Sequence, residues 1–597
     1  MPETYNLSLW LADLTLSGAR DALEGRHSAT ADPNIAAIQQ VLDVAANGSG
    51  ATASWFDYLE AALHISERML GAEIRGRAGN RRIVIAPQRR RGQCCGAYST
   101  PGCIAQSLVQ DAIKALGQSR RLRMIDLSLE AGQFPITTLA NAESGTSVEF
   151  YAIDQDPAAI RLTKRLFHFA REYAGRREFR LFISCRDSLF DDLPRSWPRQ
   201  FDAVIGNPPW AVQRKNYTER VRDVYGSLLS ANFDLYLAFL LRADCLVRPG
   251  GVIAMTVPST FLFNDSAQEV RKYLLGNYDV VCLRVHPRRS FVEVPCIIPV
   301  SFVLSKRTEA AAPSRRSLIA YDTGSTGGAE RPRTATVCDA RSYWQALPGQ
   351  PFHPWVRPSS LALLGHIEKF PRLADFGTAM DGAGLQGGTG VPPEAPFTGY
   401  QARDLRPFHA CESGSLKYHG QRCFRAAPKS RDIQRKKVLF QNFRFVTHSR
   451  RLIAAAASPG TYAVSTASMF FPDLSDLTDY WAAIFNSAVA NTWFKMRDVS
   501  RTIKIDLVRQ IPVPIPQQTD AVTELSRLCS DLRAELHVSI IHCTTVERQR
   551  VVHKTLAGLL SKIERTENAI ESQVIELYEI PRAKRRELLE LSLARVF

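Results

Sequence analysis

From about residue 96 to residue 305 the chain repeats one pattern: a short apolar run, a polar turn, then a segment of helical periodicity. Arg123-Met124-Ile125-Asp126-Leu127, Glu149-Phe150-Tyr151-Ala152-Ile153, Phe179 to Cys185 and Phe201-Asp202-Ala203-Val204-Ile205-Gly206 are the apolar runs; each reads as a strand, and the last as a buried one. Strands separated by helices cannot close as tight hairpins, so this alternation predicts an α/β domain whose parallel sheet is covered on both faces. At 597 residues the chain is too long for one core. Its remaining segments divide by pattern. Residues 1–95 carry helical periodicity, as in Trp55 to Ile65, and end in Arg89-Arg90-Arg91, which reads equally as a phosphate contact or a solvated loop. Residues 306–345, rich in Ala, Gly, Ser, Thr and Arg, read as a linker or insertion; 346–518 form a mixed domain closing in Ile511-Pro512-Val513-Pro514-Ile515-Pro516; and 519–597, almost free of Gly and Pro, read as helices.

One strand ends in a corner that specifies chemistry. Gly206 is followed by Asn207-Pro208-Pro209-Trp210, and each proline fixes its own φ while holding the preceding residue extended. The Asn207 side-chain oxygen and the Pro208 carbonyl can each accept one hydrogen of an exocyclic amine, while Trp210 supplies a face for a flat heterocycle. An amine conjugated to an aromatic ring is a poor nucleophile. Two acceptors that draw its hydrogens out of the ring plane push the nitrogen toward a reactive, tetrahedral form.

This motif and its neighbours resemble the gamma-class N6-adenine DNA methyltransferases of restriction-modification and phage-defence systems. The resemblance covers about residues 96–597 and is most specific at Asn207 to Trp210. It implies a Rossmann-like S-adenosylmethionine-dependent methyltransferase domain over 96–305, a helical N-terminal region, a mixed α/β target-recognition domain over 346–518 and C-terminal helices. Asn207, Pro208, Pro209 and Trp210 then become the catalytic set, with Trp210 stacking on an adenine flipped out of the duplex and Phe291 taking its other face. Cofactor binding falls to Tyr98 and Thr100 in Tyr98-Ser99-Thr100-Pro101, to Asp126 and Gly132 in the loop after the first strand, to Asp154 for the ribose, to Asp187 for the adenine amine and to Phe239 for the adenine ring. The loop departs from the family at Leu127, which replaces a proline, and at Glu130, which replaces a glycine and could crowd the cofactor. Without the resemblance, Thr100-Pro101 is a helix start, Asp156-Pro157 a helix cap and Phe239 a core aromatic.

Charge supports the same class of partner. Lys and Arg exceed Asp and Glu by 75 − 59 = 16, which favours a polyanion. Residues 401–451 concentrate basic residues among aromatics, and Arg422, Arg425, Lys429, Arg431, Arg435, Lys436 and Lys437 are the expected contacts to double-stranded DNA. Other expectations are a cytoplasmic protein with no membrane span, no metal site, and protein partners drawn from a restriction or defence system. The twelve cysteines are scattered, with no Cys-x-x-Cys pair, and read as reduced. No nuclease-like cluster stands out, so modification without cleavage is expected. Two alternatives stay open: a DNA-binding protein with an impaired cofactor loop, favoured by Glu130, and an RNA or protein N-methyltransferase.

Overall fold

The computed structural model describes residues 98, 100–210, 215–291, 294–295, 297–308, 317–321, 333–347, 349–354, 360–384, 397–411, 416–418, 429–443, 450–497, 502–516, 519–541 and 546–593. The helical region expected over 1–95, with its arginine run, lies outside the described residues, as do Arg422 and Arg425. Contacts divide the chain into two units at Pro354/Trp355.

The first unit is built on a nine-stranded sheet. Its chain order begins α1 (Gly102–Leu116), β1 (Arg121–Asp126), α2 (Gln133–Asn141), β2 (Ser147–Asp154), α3 (Pro157–Ala174), β3 (Phe179–Cys185), β4 (Phe201–Gly206), α4 (Lys215–Tyr225), α5 (Leu235–Leu246) and β5 (Val247–Pro258). It continues through α6 (Gln268–Asn277), β6 (Tyr278–Val285), β7 (Pro299–Lys306), β8 (Ser317–Tyr321), β9 (Arg333–Cys338) and α7 (Ala340–Ala346). The strands lie in the order β3-β2-β1-β4-β5-β7-β6-β8-β9. Neighbours from β3 to β5 run parallel, as the alternation required, while β7 runs antiparallel to both β5 and β6. The order reverses direction between β1 and β4. In an open sheet of this kind, ligands bind outside the carboxyl ends of the strands at that reversal.

Packing follows from the alternation of side chains along each strand. Met124, Phe150, Ala203, Ile205 and Ala254 project to one face, where they meet Leu108 and Val109 of α1, Leu139 of α2 and Leu162 and Leu166 of α3 in one buried cluster. The α5 helix contacts β4 and β5 and is buried at every position from Leu235 to Leu241. Strands β8 and β9 fall inside 306–345, the segment whose composition reads as a linker. Short strands at the edge of a sheet need few large apolar residues, so their composition resembles that of a loop.

The second unit is of a different kind. A four-stranded antiparallel sheet joins β10 (Gly377–Asp381), β15 (Lys437–Gln441), β16 (Ala454–Ala457) and β18 (Ala467–Pro472), and a smaller sheet joins β11 (Phe397–Tyr400), β14 (Leu416–Tyr418) and β17 (Thr461–Ala463). The two-residue pair β12 (Leu405–Arg406) and β13 (His409–Ala410) packs against β16 of the four-stranded sheet. Helices α8 (Ser360–Ile367), α9 (Ser430–Ile433), α10 (Thr478–Asn486), α11 (Ala488–Lys495) and α12 (Ile505–Arg509) complete this region, followed by α13 (Asp520–Ile541), α14 (Val546–Leu577) and α15 (Arg582–Leu593). Asn486 and Asn491, on α10 and α11, both act as clamps. Asn486 donates to the Ala454 carbonyl at 2.8 Å and accepts from its N–H, while Asn491 accepts from the N–H groups of Arg451 and Leu452 at 2.7 and 2.8 Å. Both side chains are buried, and together they satisfy the backbone leading into β16. Among the described residues no helix is long and apolar enough to cross a membrane.

Candidate active site

The carboxyl ends of β1, β2, β3 and β4 each deliver one of the expected residues: Asp126, Asp154, Asp187 and Asn207. At the reversal point β1 and β4 touch directly. A Cβ added to Gly206 would stand 2.8 Å from the Asp126 Oδ1, so the last residue of β4 must be a glycine for that carboxylate to sit where it does. The Ser128 hydroxyl then donates to the Asn207 carbonyl at 2.9 Å, tying the loop after β1 to the corner after β4.

Asp126 is fully buried. Its Oδ1 accepts the Ser128 N–H at 2.9 Å, whereas its Oδ2 has no partner. Burial raises its pKa to about 7, with the nearby Asp154 charge adding to the rise and the Ser128 N–H opposing it. A buried carboxylate oxygen without a donor is a site that fits a cation. S-adenosylmethionine carries two positive groups, an ammonium and a sulfonium, so the residues present fit that cofactor.

Glu130 adopts φ +49°, the left-handed conformation that a glycine takes at no cost. Its N–H donates to the Asp154 Oδ2 at 2.9 Å, and the Asp154 Oδ1 accepts from the Asp156 N–H at 2.8 Å. The turn is therefore kept despite the glutamate, at a strain of about 1–2 kcal/mol. Asp156 caps α3, accepting from the Ala158 N–H at 2.8 Å. Gly132 has a reason other than approach to a ligand. Its φ is +89°, and an added Cβ would lie 2.4 Å from the Thr163 Cγ2 on α3, so this glycine lets α3 close onto the loop.

At the end of β3, Asp187 accepts the Leu189 N–H at 3.0 Å, and the Tyr217 hydroxyl donates to it, 3.3 Å from Oδ1 and 3.2 Å from Oδ2. Burial, followed by the Asp187 charge, raises the Tyr217 pKa, so the phenol stays protonated and serves as the donor. Phe239 is buried on α5, consistent with a core aromatic as well as a wall for the cofactor ring. Tyr98 and Thr100 precede α1, whose N-terminus is capped by Pro101 with no side-chain hydrogen bond. The threonine cap and proline N1 expected there are thus shifted by one residue. The Tyr98 carbonyl accepts from the Asn207 Nδ2 at 2.9 Å, which orients the amide with its oxygen turned away from Tyr98.

The corner itself corrects one expectation. Trp210 presents no open face: it is 4% exposed, with its ring centroid 5.2 Å from that of Tyr98 and 4.9 Å from that of Phe291, and Phe291 is 1% exposed. The Trp210 indole N–H donates to the Asn207 Oδ1 at 2.9 Å. The acceptor meant for the substrate amine is filled from within the chain, and the two rings expected to sandwich a base pack against each other.

The basic segment needs a second correction. Lys437 is fully buried, and its ammonium donates to the Ile433 carbonyl at 2.9 Å and the Thr461 carbonyl at 2.6 Å. Burial lowers its pKa to about 7. A lysine so placed braces β15 against α9 and β17 and cannot reach a phosphate. Lys429, Arg431, Arg435 and Lys436 are exposed, with Arg435 lying over the Phe471 ring at 4.8 Å and Lys436 3.3 Å from Asp476. Sequence reasoning missed Ser128, Thr163 and Tyr217, whose roles depend on contacts between distant segments.

Residues 149–284 match the model of a family described as Eco57I restriction-modification methylase. The chain is 26% identical over 200 residues to the type II methyltransferase M.BanIII of Aneurinibacillus aneurinilyticus, an alignment that covers 31% of this chain and 34% of that protein. It is 31% identical over 83 residues to the type II restriction enzyme and methyltransferase RM.Eco57I of Escherichia coli, covering 13% of this chain and 8% of that one. The chain thus spans about a third or less of the length of these curated relatives. Among solved structures, the type IIL restriction-modification enzyme MmeI in complex with DNA aligns with a TM-score of 0.50 at 12% identity, covering 82% of this chain and 74% of that one, a likeness of fold.

Proposed function

We propose that this chain is a site-specific DNA N6-adenine methyltransferase of a restriction-modification or phage-defence system that uses S-adenosylmethionine as methyl donor, a reading supported by the match of residues 149–284 to the restriction-modification methylase family. The observation that carries the reading is the Asn207-Pro208-Pro209-Trp210 corner, which leaves β4 at the sheet's reversal point next to the buried Asp126 carboxylate.

The chemistry divides among the chain's residues. Asp126 faces the cofactor's positive charge, Asp154 takes its ribose, Asp187 its adenine amine and Phe239 its ring, with Tyr98, Thr100 and Gly132 shaping the methionine end. When bound, S-adenosylmethionine supplies an electrophilic methyl group. An adenine leaves the duplex at a cost of a few kcal/mol, offset by stacking on Trp210 and Phe291 once these two rings, in contact in the ligand-free protein, separate to admit it. The Asn207 Oδ1 and the Pro208 carbonyl each accept one of its amine hydrogens, which frees the nitrogen lone pair for in-line attack. Catalysis is then positioning and electrostatic preorganisation, and the methylated ammonium is acidic enough to lose its proton without a strong base. The second unit's exposed Lys429, Arg431, Arg435 and Lys436 follow the phosphate backbone of double-stranded DNA.

The test is product identity. Incubation with S-adenosylmethionine and unmethylated genomic DNA, bulk RNA or a protein extract, followed by digestion and mass spectrometry, should give N6-methyladenine in DNA alone. Methyl groups in RNA or protein, or on cytosine, would replace this reading.

A further inference from the structure

Two acceptors proposed for different ligands are both filled by donors of one short stretch. The Trp210 indole N–H occupies the Asn207 Oδ1 at 2.9 Å, and the Tyr217 hydroxyl lies 3.2 and 3.3 Å from the two Asp187 carboxylate oxygens. These donors stand 217 − 210 = 7 positions apart. Each has the chemistry of the ligand group it displaces, a single N–H or O–H directed at an oxygen that would otherwise take an adenine amine.

The surrounding packing holds both in place. Phe291 covers Trp210 at a centroid distance of 4.9 Å, leaving no gap for a base between the rings, and Tyr98 covers it from another side at 5.2 Å. The α4 helix, which begins just before Tyr217, is fastened to the turn after β3 at three points besides Asp187. Arg220 lies 3.9 Å over the Phe190 ring, Tyr217 meets Phe190 edge-on at 5.2 Å, and the Tyr225 hydroxyl donates to the Leu189 carbonyl at 2.6 Å. Asn207 is buried, so an unfilled Oδ1 there would cost free energy, and at the partly exposed Asp187, which also accepts the Leu189 N–H, the Tyr217 hydroxyl adds a second donor to the ligand-free protein.

From this we propose that Trp210 and Tyr217 are internal stand-ins, so that cofactor and base bind by exchanging one donor for another. The inference rests on the methyltransferase reading above. It assigns a reason for tryptophan at the corner, since phenylalanine offers the same kind of face but no N–H. It also makes Tyr217 a determinant of cofactor affinity that acts against binding. Exchange rather than addition means each ligand gains less than its own hydrogen bond, and removing a stand-in returns the difference.

The experiment measures S-adenosylhomocysteine binding by calorimetry to the full chain and to its Tyr217→Phe and Tyr225→Phe variants, with melting temperatures confirming that each is folded. Tyr217→Phe should bind about threefold to tenfold more tightly, the net value of one neutral hydrogen bond. Tyr225→Phe, which frees no acceptor on Asp187, should not. In parallel, the indole ¹⁵N–H signal of Trp210, identified by its loss in Trp210→Phe, should shift and exchange faster when unmethylated plasmid DNA and S-adenosylhomocysteine are both present. Unchanged or weaker binding by Tyr217→Phe, or equal tightening by both tyrosine variants, overturns the role of Tyr217. A Trp210 signal that stays fixed in the saturated complex overturns the role of Trp210. If the wild-type chain binds the cofactor product and methylates DNA while these effects are absent, only this inference fails; if it binds neither ligand, the methyltransferase reading fails first.

Discussion

Replacing Gly132 by alanine tests whether the loop after β1 is shaped by packing against α3. Two costs add. At φ +89° an L-residue is strained by about 1–2 kcal/mol. The new Cβ would stand 2.4 Å from the Thr163 Cγ2 and 3.0 Å from its Oγ1. Thr163 has little freedom to yield, because its hydroxyl donates to the Ala159 carbonyl at 3.0 Å and the Glu130 carbonyl at 3.2 Å and its β-branched side chain is restricted in χ1. Overpacking of this kind costs about 1–3 kcal/mol. Loss of unfolded-state freedom on going from glycine to alanine returns about 0.4–1 kcal/mol, leaving a net destabilisation of about 1–5 kcal/mol. Hydrogen exchange of the α2 amides is the suitable assay, since a chain of two units need not unfold in one step. In a Thr163→Ser background, which removes the methyl group at 2.4 Å, the cost of Gly132→Ala should fall by about 1–2 kcal/mol, the share due to the clash. A cost below about 1 kcal/mol, or strict additivity of the two changes, would refute the packing argument.

Cofactor affinity should depend on pH through Asp126. Its carboxyl titrates near 7 when folded against 3.8 when exposed, so the protein gains protons on folding between those values and its stability falls as pH rises from about 4 to 7. A cationic ligand needs the ionised form, so calorimetric affinity for S-adenosylmethionine should fall about tenfold per pH unit below about 7, and an affinity flat between about pH 5 and 8 would contradict the assignment. Alanine at Lys429, Arg431, Arg435 and Lys436 should flatten the logarithmic salt dependence of DNA binding by roughly one unit of slope for each phosphate no longer neutralised, while Lys437→Met should leave the slope unchanged and lower the melting temperature. Asn491→Ala should destabilise the second unit by about 2–4 kcal/mol in urea unfolding, since it strips partners from the buried N–H groups of Arg451 and Leu452; a destabilisation under about 1 kcal/mol would show those groups find other acceptors.

Local pattern revealed the frame of the site. Phe201–Gly206 forms a strand where its apolar run lies, because a doubly covered parallel strand must be largely apolar, and Phe179–Cys185 forms the partly exposed edge strand beside β2. The corner after β4 was legible because proline restricts the backbone whatever surrounds it. Contacts between distant segments were not legible. Nothing local marks Thr163 as the neighbour of Gly132 or Tyr217 as the donor to Asp187. Lys437 looks like its exposed neighbours in sequence, and only the carbonyls of Ile433 and Thr461, brought together by β15, α9 and β17, account for its burial. Trp210 misled for a related reason: an aromatic residue suited to stacking on a ligand is equally suited to stacking on Phe291 when no ligand is bound.

The most direct test compares wild-type protein and Asn207→Ala for transfer of labelled methyl from S-adenosylmethionine to unmethylated DNA in single-turnover experiments at saturating cofactor. Removing one acceptor that acts on the reacting amine should slow transfer about a hundredfold or more, with S-adenosylhomocysteine affinity nearly unchanged. Equal rates in the two proteins would show that the Asn207 oxygen does not activate the nitrogen, and the central claim would be wrong.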